Sequence, residues 1–497
     1  MQPFFIIGGK MFPDLNRLKK LSEKYSRIPL YREMNISMFD FLSIISSLKD
    51  EENFIFLESS DSTSRAGRFS YLCFNPVSSV TAYSDHVIVS HSGIESRTEE
   101  GLFTFLKRES AKYSSPDIEG FGDFNGGFTG YISYEAVNHT GILRRKIKSG
   151  NLRPVAELLL IDDFIVYDNV LRKFFASTPV YTDRGELNTE VQRASERLDE
   201  IEDFIINLIS SSKISFLPSR PVDIRMEYSD SDSSFLQKVG AVKEGICSGE
   251  IIQGVISRRM SVKNRINPFS FYLKLRDVNP SPYMYFLKFG ERFITGCSPE
   301  THLRMKGNRM LLKPIAGTAP IPEKRNDRKL GRKNLLRDQK ERAEHLMLVD
   351  LARNDLSRIA AKGTVSVAEF MKVEDFSHVM HIVSSVKGTM RDGLTAVDAF
   401  RETFPAGTVS GAPKVRAIEI IDDLEEHERW AYAGAVGYFG YNRSCDTCIT
   451  LRTAYFDGDE VFTQGGAGVV FDSVPQNELN EINHKLRALT TSMGYAV

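Results

Sequence analysis

Three stretches decide the fold class of this chain: Thr447-Cys448-Ile449-Thr450-Leu451-Arg452-Thr453, Gln464-Gly465-Gly466-Ala467-Gly468-Val469-Val470 and Ser473-Val474-Pro475-Gln476-Asn477-Glu478-Leu479-Asn480-Glu481. The first reads as a strand. The second reads as a Gly-rich turn after another strand. The third opens a helix, because Ser473 with Gln476 three residues on predicts a capping box. Leu479, Ile482, Leu486 and Leu489 form that helix's apolar stripe, with Glu478, Glu481 and Lys485 on an adjoining one. Strands that follow one another before a single helix favour an α+β fold over a doubly wound parallel sheet.

Working outward, Asp230, Ser231 and Asp232 can cap a helix running through Phe235 to Ser248. Further back, Phe54-Ile55-Phe56-Leu57 and Leu158-Leu159-Leu160-Ile161 are short apolar runs of buried-strand type. A polar helix spans 190–208, and the Ser-rich, Pro-bearing stretch 210–221 reads as a linker. The reading is an N-terminal domain over 1–220 and a second domain over 221–497. The dense charge run at 320–345 reads as a solvated loop and a helix start.

The chain has 497 residues, with Lys plus Arg 64 and Asp plus Glu 65, for a formal net charge of −1. That balance gives no global reason to bind nucleic acid or an anionic membrane. Hydrophobic residues make up 41% and charged residues 26%, which excludes wholesale disorder. Five cysteines are too few for a disulfide scaffold. Cys445 and Cys448 have CxxC spacing but no second pair and no partnering His, so they read as two separate strand residues. No stretch approaches the ~18 apolar residues that cross a bilayer. The start, MQPFFIIGGK, lacks a basic region and a cleavage site, so a cytoplasmic location is expected.

Several residue types could carry chemistry. Glu341 and Glu344, three apart, share one helix face. Two carboxylates from each of two helices would suit Mg²⁺, which keeps waters and takes one or two protein carboxylates. Pro405-Ala406-Gly407-Thr408-Val409-Ser410-Gly411-Ala412-Pro413-Lys414 feeds a helix and could present backbone N–H groups to an anion, although it lacks the spacing of a nucleotide loop. His378 and His381 fall on opposite strand faces, so they do not form a metal pair. Arg452 emerges within an apolar strand and needs either a structural carboxylate or that of a ligand.

In order along the chain, Lys313-Pro314-Ile315-Ala316-Gly317-Thr318, the run from Glu341 to Leu356, Val379-Met380-His381, Phe404 to Lys414, Asp446-Thr447-Cys448-Ile449 and Gln464 to Gly468 resemble the chorismate-utilising enzymes. Within that family the resemblance is to the large-subunit branch of the anthranilate synthases. It is strong over 235–495 and extends, more weakly, to Leu57-Glu58-Ser59, Gly67-Arg68-Phe69-Ser70 and Gly126 to Tyr131.

The resemblance implies a four-layer α/β/β/α core in which two antiparallel sheets pack orthogonally. It implies Mg²⁺ as cofactor, and chorismate and ammonia as substrates. The expected reaction forms 2-amino-2-deoxyisochorismate and then eliminates pyruvate to give anthranilate, for tryptophan biosynthesis. Ammonia would come from a separate glutamine amidotransferase subunit, making a hetero-oligomer. Glu344 and Glu481 match metal ligands, with Glu341 and Glu478 contacting metal-bound water. Glu300 matches the acid that protonates the departing 4-hydroxyl and needs a raised pKa. His381 matches the group that aids loss of the C2 proton. Thr408, Tyr432, Arg452, Lys485 and the amides of Gly465, Gly466 and Gly468 match groups that hold carboxylates, and Gly317 and Thr318 are placed at the substrate.

Isochorismate- and salicylate-forming members, and many aminodeoxychorismate synthases, carry a Lys at the position of Ala316, to activate water or attack the ring. Ala316 can do neither and leaves room for ammonia. Leu57, Glu58, Ser59 and Arg68, with Pro282, Tyr283 and Met284, match the two halves of the family's L-tryptophan inhibitor site, where Glu58 would pair with the amino group. Gly254 departs from the family pattern, where a bulkier residue is usual. Two alternatives remain open at this point. One is an aminodeoxychorismate or 2-amino-2-deoxyisochorismate synthase. The other is a non-catalytic tryptophan-binding regulator, against which the joint presence of Glu300, Glu344, His381, Arg452 and Glu481 argues.

Overall fold

In the computed structural model, residues 10–48, 51–59, 67–150, 153–211, 226–263, 266–322, 324–376 and 379–493 are described. Their strands form two antiparallel sheets, one of 13 strands and one of 12. In the first sheet Asn53–Glu58 pairs with Tyr283–Phe289, which is followed by Arg292–Ser298, Thr453–Asp457, Glu460–Val469 and Gln253–Lys263. In the second, Ile315–Pro320, Val379–Thr389, Arg309–Leu312, Thr301–Lys306, Cys445–Ile449 and Ala435–Gly440 lead on to Gly127–Ile132 and Ala156–Ile161. Strands from before residue 212 and after residue 225 therefore share hydrogen bonds in both sheets.

Alternation of side chains along each strand sorts the apolar residues into three cores. Ile55, Tyr71, Tyr285, Tyr455 and Phe462 of the first sheet meet Tyr131, Leu159, Val436, Tyr438 and Cys448 of the second. The outer face of the first sheet packs on helices Asp232–Cys247 and Pro475–Ser492. The outer face of the second packs on Gln339–Ser357 and Ala396–Thr403. The result is helix, sheet, sheet, helix: an α+β fold in four layers. Among the described residues no helix is long and apolar enough to cross a membrane.

Several local readings change. The last helix begins at Pro475 with no side-chain cap, because the Ser473 hydroxyl instead accepts from Val470 N at 3.0 Å. Gly465 to Gly468 are not a turn but the end of the Glu460–Val469 strand. The charged run at 320–345 contains a helix of its own, Arg325–Leu335, before Asp338 caps Gln339–Ser357. Ser231 caps Asp232–Cys247 as expected. Gly254 has a packing reason: a Cβ there would stand 2.9 Å from a Val242 methyl. Cys445 and Cys448 are both free and buried, the first in the outer core of the second sheet and the second between the sheets. His378 and most of the 210–221 stretch lie outside the described residues.

Candidate active site

Glu300 stands where the chain leaves the first sheet at Ser298 and enters the second at Thr301. Its backbone is held at both sides: its N–H donates to Ser298 Oγ at 3.3 Å, and its carbonyl accepts from Ile449 N at 3.0 Å. The residue is 8% exposed. Burial pushes its carboxyl up to about 8, with the Thr408 hydroxyl and the Lys485 ammonium pulling weakly the other way. At neutral pH this side chain is a protonated acid.

His381 lies on Val379–Thr389, opposite Ile315–Pro320. The register between these strands slips between Ala316 and Thr318, and Gly317 occupies the slip at φ +68°. The bulge turns the Gly317 carbonyl towards His381 Nδ1 at 2.8 Å. That acceptor fixes the tautomer: Nδ1 carries the hydrogen and Nε2 keeps its lone pair. Burial lowers the imidazole pKa, and the charges of Arg452 and Lys485 lower it further, against the Gly317 hydrogen bond. The ring is a neutral base. Ala316, just before the bulge, is buried.

The same bulge reaches the carboxylates. A Cβ on Gly317 would stand 3.1 Å from Glu341 Oε2. Glu341 and Glu344 lie on the Gln339–Ser357 helix, and Glu478 and Glu481 on Pro475–Ser492. Burial raises Glu341, Glu344 and Glu478, and in each case the charge of Glu481 raises it further. The two helices thus bring four carboxylates into mutual repulsion. Lys485 answers part of it, 2.6 Å from Glu481 and donating to the Gly466 carbonyl at 2.9 Å. Its charge also acts on Glu300, Glu344, Glu478 and His381, so these groups lie within electrostatic reach of one ammonium. Among the described residues no three His, Cys, Asp or Glu side chains converge closely enough to enclose a metal by themselves. The donor set fits a hard cation that takes one or two carboxylates and keeps its waters.

The glycine edge supplies N–H groups. Ser257 pairs with Gly466, and Val255 with Gly468. Ser257 N donates to Glu425 Oε1 at 2.7 Å and Val255 N to Ser410 O at 3.0 Å, so both point away from the Glu460–Val469 strand. These are therefore non-hydrogen-bonded pairs, and Gly466 and Gly468 aim their own N–H groups at the opposite edge. The neighbouring strand on that edge pairs only as far as Ala454 with Thr463, which leaves the edge open beyond. Gly465, expected to contribute its amide as well, is placed differently: it pairs with Arg258 in the ladder and turns its Cα towards Leu486 and Ile482. Gly466 is a glycine because the Tyr432 hydroxyl lies 2.3 Å from where a Cβ would be.

Arg452 takes φ +49°, a conformation rare outside glycine, at the end of this edge. Its guanidinium bonds only Asn279 Oδ1, at 3.5 Å, and pairs with no carboxylate among the described residues. A guanidinium with no carboxylate partner among the described residues has the fork geometry to take an anion.

The residues matched to the inhibitor site lie elsewhere in the fold. Leu57, Glu58, Ser59, Arg68, Pro282, Tyr283 and Met284 all line one cavity of about 460 Å³ between the sheets, which also touches Arg304, Asp446 and Cys448. Glu58 is already held there by Arg276, at 2.8–2.9 Å, and by the Tyr272 hydroxyl. The Tyr283 hydroxyl bonds Asp446 Oδ1 at 2.8 Å and Thr301 Oγ1 at 2.9 Å. Sequence reasoning missed Arg276 and Tyr272, because both lie on the helix Pro268–Val278 and meet Glu58 only where that helix packs over the first sheet.

A protonated buried acid, a neutral imidazole, paired carboxylates on two helices and an anion-receptive edge define an enzyme for a small carboxylated substrate. Residues 52–491 match the family of chorismate binding enzymes, and the chain belongs to that family. It is 38% identical over 488 residues to anthranilate synthase component 1 of Pseudomonas putida, covering 95% of this chain and 96% of that one. It is 36% identical to the protein of the same description from Aquifex aeolicus, covering 97% and 98%. Among solved structures, anthranilate synthase component I from Streptococcus pneumoniae superposes with a TM-score of 0.71 at 32% identity, covering 86% of this chain and 93% of that one. A menaquinone-specific isochorismate synthase from Escherichia coli, 20% identical over 96% of this chain and 98% of its own, shares the fold with a TM-score of 0.68.

Proposed function

We propose that this chain is the large component of a Mg²⁺-dependent anthranilate synthase. It would convert chorismate and ammonia into anthranilate, pyruvate and water in the cytoplasm, for tryptophan biosynthesis. A glutamine amidotransferase partner would supply the ammonia, and tryptophan would inhibit from the inter-sheet cavity. The observation that carries this reading is the pairing of Glu300, a carboxyl kept protonated by burial, with His381, an imidazole kept neutral with Nε2 free. One acid and one base are what an addition with loss of hydroxide, followed by an elimination, requires.

In the first step ammonia adds at C2, the ring double bonds shift, and the 4-hydroxyl departs as water with the Glu300 proton. In the second, His381 Nε2 takes the C2 proton as the C3–O bond breaks and the ring becomes aromatic; the departing enolpyruvate takes up a proton at its methylene carbon and becomes pyruvate. Arg452 and the N–H groups of Gly466 and Gly468 hold and orient a substrate carboxylate throughout. Glu344 and Glu481 would hold Mg²⁺, with Glu341 and Glu478 towards its waters, and the ion would neutralise a ring carboxylate. Ala316 leaves ammonia unobstructed and offers no amine to compete with it. Glu58, oriented by Arg276 and Tyr272 before a ligand arrives, supports an ammonium contact in the cavity.

The test is anthranilate fluorescence, with a product chromatogram, from the chain supplied with chorismate, MgCl₂ and ammonium. Anthranilate that EDTA abolishes and tryptophan suppresses is the expected result. An aminated product that keeps its enolpyruvyl group would assign a sister activity, and no consumption of chorismate would refute the reading.

A further inference from the structure

The strand Gln253–Lys263 starts beside the glycine edge. Gln253 pairs through its backbone with Ala412, four residues after Thr408. By strand alternation its side chain shares a face with Val255 and Ser257, and hence with Gly468 and Gly466 across the ladder. The residue is 3% exposed. Its Nε2 lies 2.9 Å from the place a Cβ on Gly468 would occupy, so the carboxamide lies over the Gly468 Cα. Its Oε1 is buried and has no hydrogen-bond partner among the described residues.

A buried amide oxygen left unpaired costs free energy that a core position filled by Met or Leu would not. The adjoining Gln464 shows the contrast: its amide donates to Ser257 Oγ at 2.8 Å. Gln253 has an apolar neighbour in Val255 and a glycine in front of it, and nothing in the steps above uses it. The carboxamide lies over Gly468, one of the two glycines assigned to a substrate carboxylate, with its oxygen unpartnered among the described residues.

We propose that Gln253 is a substrate-positioning residue, whose carboxamide completes the carboxylate cradle formed by Gly466 and Gly468. Nε2–H donates to the carboxylate without adding charge, and Oε1 accepts from a polar hydrogen of the bound ligand. This rests on the reading of the chain as a chorismate enzyme.

The test compares steady-state kinetics of the full chain and of Gln253→Met and Gln253→Glu, with chorismate, MgCl₂ and ammonium. For Gln253→Met the KM for chorismate should rise ~10–100-fold, the loss expected for a hydrogen bond to a charged group, while kcat stays within about threefold. Its Tm should equal or exceed that of the parent, because the unpaired oxygen is gone. Gln253→Glu should show a larger KM defect at pH 8 than at pH 6, since only the protonated carboxyl can donate. An unchanged KM in Gln253→Met would overturn the proposal. So would a fall in Tm and kcat together with a KM defect in Gln253→Glu that ignores pH. A parent chain that leaves chorismate untouched would instead overturn the reading beneath it.

Discussion

At the scale of single residues, Glu300 and His381 get opposite treatment from one physical cause. Burial disfavours charge, so the carboxyl keeps its proton and the imidazole loses its own. Glu300→Gln removes the acid and should lower the rate of anthranilate formation by roughly 10²–10⁴-fold, measured by fluorescence at saturating chorismate. The same shift has a sign in stability. A carboxyl whose folded pKa is about 8 binds its proton more tightly in the native chain than in the unfolded one. Stability from this group is therefore fully present at low pH, and falls as pH rises from the ordinary carboxyl range to about 8. Thermal unfolding should find Glu300→Gln gaining on the parent as pH rises from 5 to 8, and a difference independent of pH would contradict the assignment. Glu300, His381 and Arg452 were legible as residues because their motifs are long. Their environments were not: Glu58 meets Arg276 and Tyr272, 218 and 214 positions away, and no local pattern announces such a pair.

At the scale of elements, two helices and one strand edge make up the proposed site. Glu481→Gln should raise the Mg²⁺ concentration needed for half-maximal rate at least ~10-fold, because a carboxamide is a weaker ligand for a hard cation. Tryptophan binding, followed by calorimetry, should be spared. The strand edge was misread as a turn because glycine normally punctuates a strand. Here glycines continue the strand, since Tyr432 and Gln253 press on Gly466 and Gly468 from the same face. Gly466→Ala should lower Tm and abolish activity through the clash with the Tyr432 hydroxyl. Tyr432→Phe in the same chain should restore much of the Tm, and thermal scans of the two variants decide it. The helix-borne carboxylates needed no such correction, because a spacing of three puts a pair on one face whatever packs behind it.

At the scale of the whole molecule, the two sheets tie residues before 212 to those after 225, and the large cavity is lined from both sides of that division. A ligand there touches Tyr283, whose hydroxyl bonds Thr301, the residue after Glu300. Glu58→Gln should raise the tryptophan concentration for half-inhibition about 10-fold and leave the uninhibited rate unchanged, as an inhibition curve would show. The class of fold was legible because consecutive strands favour an α+β fold over a doubly wound sheet. The way the halves share both sheets was not, because register is set by pairs hundreds of residues apart. The pH dependence of kcat/KM for anthranilate formation, in the parent chain and in Glu300→Gln, tests the central claim most directly. The expected profile falls above pH 8 as Glu300 ionises and stays level down through the ordinary imidazole range. In Glu300→Gln the rate should drop and the alkaline fall should vanish. A parent profile flat through pH 8, or a Glu300→Gln chain that keeps both its rate and that fall, would contradict the account.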